Sequence, residues 1–112
     1  MRDTDDSRAM RDVPKPYARF AAQFPAVLAK NEELGTFIHD NGGPLDEKTR
    51  WLVKLGISAA ARHQTGVSTH VKKARQAGAT EPEILHALML VIPTCGFPTF
   101  MEAYREYDEG EK

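Results

Sequence analysis

Apolar residues recur along this chain at helical spacing, and no run alternates in the way a half-buried strand would. After Pro14 and Pro16, the residues Tyr17, Phe20, Ala21 and Phe24 fall on one face of a short helix. Pro25 suits the first turn of a second helix, where no amide donor is required. That helix is predicted from Ala26 to about Asp40, with Val27, Leu34, Phe37 and Ile38 turned inward. Asn41-Gly42-Gly43-Pro44 breaks it. Gly35 inside it costs roughly 1 kcal/mol against alanine, which points to close helix contact there.

Asp46 is the predicted N-cap of a third helix carrying Val53, Leu55, Ile57, Ala59, Ala60 and Ala61. Only a narrow polar stripe remains on it, at Glu47, Lys54 and Ser58, so neighbours are expected around most of its surface. Arg62-His63-Gln64-Thr65-Gly66 reads as a polar hinge. A fourth helix follows from about Val67 to Ala77, with Lys72, Lys73, Arg75 and Gln76 in solvent and Gly78 as its left-handed cap. Thr80 and Glu83 make a capping box for a fifth, nearly all-apolar helix through Ile84 to Ile92, with Pro93 ending it. A last amphipathic helix carries Phe100, Met101 and Tyr104. The fold class is all-α, with about six helices.

Length changes this picture little: 112 residues make one domain, predicted over residues 14–108 after a flexible charged arm at residues 1–13. Charge excludes more. A net charge of -1 provides no field for nucleic acid, and Lys72, Lys73 and Arg75 are expected on a solvated face. No apolar run nears the ~20 residues that span a bilayer, so no membrane partner is expected. The polar start, MRDTDDSRAM, is no secretory signal, and a cytoplasmic location is the expectation. Cys95, the single cysteine, rules out a disulfide within the chain and is expected to be buried and inert. The apolar surface of the third and fifth helices exceeds what so small a monomer covers, which predicts a homo-oligomer.

Candidate chemistry gathers at the hinge. His63 and His70 supply imidazoles, Arg62 a cation for an anionic ligand, and Trp51 a wall for such a pocket. Each has a plainer reading. His70 can be hydrogen-bonded at a subunit contact, His63 and Arg62 can serve the end of the third helix, and Trp51 can be packing. His86, on an apolar face, reads as a satisfied core or interface histidine. Two imidazoles are too few to hold a metal unless another subunit adds a ligand, so neither metal nor cofactor is expected.

The segments LDEKTRWLVKLGISAA and GVSTHVKKARQAGATEPEIL, with the Pro-x-x-Gly-Phe-Pro turn at Pro93 to Pro98, resemble the carboxymuconolactone decarboxylase family, which includes the alkylhydroperoxidase D-like proteins. The resemblance implies a small helical bundle assembled as a trimer or hexamer, with the site where helices and subunits meet. Peroxidatic members carry Cys-x-x-Cys-x-x-x-His, with a glutamate about a dozen residues ahead. Aligned on His70, the cysteine positions fall on His63 and Gly66, and the glutamate position falls on Trp51. With neither sulfur present, thiol peroxidase chemistry is not expected. The decarboxylase branch needs no dithiol. It implies a cationic pocket for a small anionic compound, with His70 as general acid/base. The alternative is a non-catalytic, oligomeric ligand-binding or interaction protein on the same scaffold.

Overall fold

A computed structural model of the chain describes residues 15–110, so the arm expected at residues 1–13 lies outside them. Among the described residues there are helices and turns but no strand, in agreement with the all-α expectation. The chain divides into two compact units at the Gly43–Pro44 junction.

The first unit holds α1 (Lys15–Gln23) and α2 (Pro25–Asn41), separated by Phe24. The proline that follows drives Phe24 out of helical geometry, to φ -133° and ψ 59°. The Phe20 and Phe24 rings meet at 5.5 Å across this corner. Neither helix buries a residue. Val27, Leu34, Phe37 and Ile38, predicted to turn inward, are exposed, because two helices cannot cover both of their own apolar sides. An added Cβ at Gly35 meets nothing within 4 Å, so the close approach expected there is absent within this unit.

The second unit holds α3 (Glu47–Ala60), α4 (Gln64–Gln76), α5 (Glu81–Met89), α6 (Val91–Cys95) and α7 (Phe97–Gly110) around one core. Leu55, Val67, Ile84 and Leu88 are its largest fully buried side chains. Burial of each stabilises the fold by about 1.5–3 kcal/mol. Local signals set the ends. Asp46 Oδ1 accepts the Thr49 amide at 2.8 Å, and this bond holds the Asp46 carboxyl below its usual range. Thr80 and Glu83 form the predicted capping box, and Lys48 reaches Glu83 at 3.0 Å to tie α3 to the start of α5.

The α4–α5 turn closes with Gly78 at φ 97°, where the Gly78 amide donates to Arg75 O and the Ala79 amide to Ala74 O. Beyond it, Arg75 grips Glu81 through two hydrogen bonds of 2.7 and 2.9 Å, and Tyr107 of α7 donates to Glu81 at 2.8 Å. These bonds, Arg75 first and Tyr107 second, hold the Glu81 carboxyl at about 2. The predicted fifth helix is in fact two. It breaks at Leu90, and Pro93 lies inside α6 rather than after a helix. As the third residue of α6, Pro93 occupies the first turn, where a missing amide hydrogen costs nothing.

Candidate functional site

Trp51, Lys54 and Ser58 follow one another along α3 at spacings that place them on one stripe, and α4 lies against that stripe. His70, half-buried in the middle of α4, places its Nδ1 2.8 Å from Ser58 Oγ. The Trp51 ring stands 5.8 Å from the imidazole, tilted by 37°. Two ammonium groups approach the same indole, Lys54 Nζ at 4.5 Å and Lys73 Nζ at 5.8 Å. The indole Nε1 donates to Glu47 Oε2 at 3.4 Å. An imidazole, an indole and two cations therefore share one small region, with Ser58 beneath them.

Gly66 permits this closeness. A Cβ there would stand 3.0 Å from Ser58 Oγ and 3.3 Å from Ser58 Cβ, so any larger residue would press on the Ser58 side chain. Ser58 itself is 6% exposed, not part of the solvent-facing stripe predicted for it. The covered face of a mostly apolar helix depends on its partner, and α4 covers this one.

The turn between α3 and α4 is shorter than the predicted hinge, since α4 already begins at Gln64. Arg62 takes the left-handed position at φ 62°, a conformation usually left to glycine. Its amide donates to Ala59 O, and the His63 amide donates to Ser58 O, closing the helix end as Gly78 does on the other side of α4. The Arg62 side chain then crosses to α7, where Nη2 donates to Thr99 Oγ1 at 3.1 Å and Nη1 lies 3.7 Å from Glu102 Oε2. His63 is the exposed N-cap of α4. It stands seven residues before His70, about 10 Å along the helix axis. Of the four predicted site residues, His70 and Trp51 are thus neighbours, whereas Arg62 turns to α7 and His63 lies at the helix end.

A groove of about 490 Å³ opens between α3, α5 and α6, walled by Leu52, Val53, Ile57 and Leu90, with Thr49 and His86 among its polar groups. Helical geometry puts Val53, Gly56, Ile57 and Ala60 on the side of α3 opposite Trp51 and Ser58. The concavity and the imidazole cluster therefore occupy different faces of one helix. His86, expected in the core or at an interface, is exposed beside this groove. Cys95, expected to be buried, is exposed at the end of α6. Among the described residues, no three His, Cys, Asp or Glu side chains cluster in a way that could hold a metal ion. Sequence reasoning missed Ser58, Lys54 and Gly66. The available signal was the seven-residue spacing of Trp51 and Ser58, which places both on the face of α3 nearest the His70 helix.

A profile of the carboxymuconolactone decarboxylase family matches residues 25–109. An uncharacterized protein of Methanocaldococcus jannaschii, MJ0742, is 34% identical over 65 residues, 57% of this chain. The match spans 62% of that protein's length. Among solved structures, the fold is similar to that of apo-lpg0406, a carboxymuconolactone decarboxylase family protein from Legionella pneumophila, with a TM-score of 0.72. That likeness covers 97% of this chain and 100% of the other at 24% identity, and it speaks to the fold alone. With the profile running through α2 and both helices of the imidazole cluster, the chain belongs to the carboxymuconolactone decarboxylase family.

Proposed function

We propose that this chain binds a small anionic compound beside His70 and carries out proton transfer of the decarboxylase or isomerase type. The observation that carries the reading is the grouping of His70, Trp51, Lys54 and Lys73 around one indole ring. Loss of carbon dioxide from a carboxylate leaves a carbanion that must be protonated, and an imidazole titrates close enough to neutrality to serve as general acid/base. The Lys54 and Lys73 ammonium groups over the Trp51 ring add positive charge beside His70, whereas the Arg62 guanidinium first expected to bind the anion reaches Thr99 and Glu102 on α7. Trp51 forms the wall. His63 contributes only where a second subunit covers it, because it is exposed in the single chain. Thiol peroxidase activity is not part of the proposal, since His63 and Gly66 stand where the two sulfurs would be.

The protein is proposed to work as a homo-oligomer, a trimer or hexamer. Exposed Val27, Leu34, Phe37 and Ile38 in the first unit, and Val53, Ile57 and Leu90 in the second, support that reading. Sedimentation equilibrium tests it; a chain that stays monomeric at micromolar concentration refutes it. Calorimetric titration with small dicarboxylic acids tests the site. Saturable binding by the wild type, lost in His70→Ala and weakened in Lys73→Ala, is the expected result. A second reading, a non-catalytic ligand-binding protein on the same scaffold, is favoured by the apolar groove on the far face of α3. Binding unaffected by His70→Ala would put that reading ahead.

A further inference from the structure

We infer that Ser58 is a positioning residue for His70, and that its buried hydroxyl donates to Nδ1 and fixes the neutral imidazole as the Nε2–H tautomer. The inference rests on the proposed role of His70 and adds the form in which that imidazole meets its ligand.

A serine hydroxyl has one hydrogen to give and two lone pairs to receive with. At 6% exposure, Ser58 cannot rely on bulk water, so its hydrogen needs an acceptor within the protein. A serine within a helix can return that hydrogen to the carbonyl four residues back. Here the hydroxyl instead meets His70 Nδ1 at 2.8 Å, its one hydrogen-bond partner among the described residues. The Gly66 backbone closes over it, near enough that a Cβ would stand 3.0 Å from the oxygen.

Two proton arrangements fit that distance. If Nδ1 carried the proton and donated to Oγ, the serine hydrogen would be left without an acceptor in a buried place, at a cost of about 1–3 kcal/mol. If the hydroxyl donates, both groups are satisfied and the ring proton sits on Nε2. The second arrangement wins. Should the ring become doubly protonated, the hydroxyl can rotate and accept from Nδ1–H, so the ring orientation survives the change of charge.

The chemical consequence concerns ligand class. In this tautomer neutral His70 accepts at Nδ1 and carries its proton on Nε2, which suits a carboxylate oxygen better than a metal ion. Small carboxylates are therefore the expected ligands.

Nitrogen-15 NMR of the imidazole tests this on the full-length protein. In the wild type above the pH at which His70 titrates, Nε2 should be the protonated nitrogen and Nδ1 the acceptor, in roughly tenfold excess over the reverse tautomer. Ser58→Ala should reduce that excess several-fold while the circular dichroism spectrum stays helical, and Ser58→Thr, which keeps a hydroxyl, should restore it. A wild type with Nδ1–H as its main neutral tautomer, or with a near-even mixture, overturns the inference without recourse to any variant. An unchanged tautomer ratio in folded Ser58→Ala overturns it as well. Succinate titration of the same samples separates this from the proposed function. Failure of succinate to bind a wild type with the Nε2–H tautomer intact would count against the anion site alone.

Discussion

Replacing Glu81 by glutamine keeps the shape of the side chain and removes its charge from the clip that joins α4, α5 and α7. In the native protein, Arg75 donates to both carboxylate oxygens and Tyr107 to one of them. Against a smaller opposing effect of burial, these donors hold the carboxyl at about 2, where the free side chain would titrate at 4.5. Fully realised, that difference amounts to about 3 kcal/mol. The Glu81 side chain is 44% exposed, however, and water screens a pair this open. About 1 kcal/mol is the share expected to survive.

Because folding depresses this titration, the stabilisation is complete above the unfolded value of 4.5 and is lost as the pH falls towards about 2. Urea unfolding of Glu81→Gln at pH 7 should therefore show a loss of about 1 kcal/mol, with Tm lower by roughly 4 °C. The gap from wild type should narrow below about pH 5 and nearly vanish near pH 2. A gap of equal size at both ends of that range would refute the argument from charge and assign the loss to packing.

Leu88, fully buried among Leu55, Ile84 and Phe100 in the core, should cost about 2–5 kcal/mol when cut to alanine, read as a lower urea midpoint with an unchanged slope. Arg62 separates backbone strain from side-chain contacts. Both Arg62→Ala and Arg62→Gly lose Thr99 and Glu102, but glycine accepts φ 62° freely, so the glycine protein should be the more stable by about 1 kcal/mol in thermal melts. Equal melts would contradict the left-handed turn. The purified protein should consume no peroxide with a thiol reductant; sustained turnover that survives Cys95→Ser would overturn the exclusion of thiol peroxidase chemistry.

Much of the second unit is legible in the chain because its boundaries are set within a few residues. Asp46 caps α3, Thr80 and Glu83 cap α5, and Gly78 ends α4, each through bonds to its own neighbourhood. What escaped depends on partners distant in sequence. Ser58 is polar and in the last turn of α3, and only the register of α3 against α4 makes it buried. Arg62 carries no mark of a left-handed residue, because the side chain that anchors it binds α7, thirty-seven residues further on. Pro93 looks like a terminator until Leu90 breaks the helix first and leaves the proline in a new opening turn. Along α2, periodicity identifies an apolar side without identifying what lies over it. The imidazole cluster was half legible for the same reason: His70 and Trp51 stood out as residue types, whereas the hydroxyl and the lysine ammoniums became relevant only through packing.

Trp51 is the chain's sole tryptophan, and it lies beside His70 with Lys54 and Lys73 over its ring. Near-ultraviolet emission from this protein, excited at the red edge to avoid its tyrosines, therefore originates at a single address. Charging the neighbouring imidazole, or drawing the ammonium groups towards an incoming anion, alters the field on that one fluorophore. The molecule is thus built with its own optical gauge at the place where its chemistry is proposed.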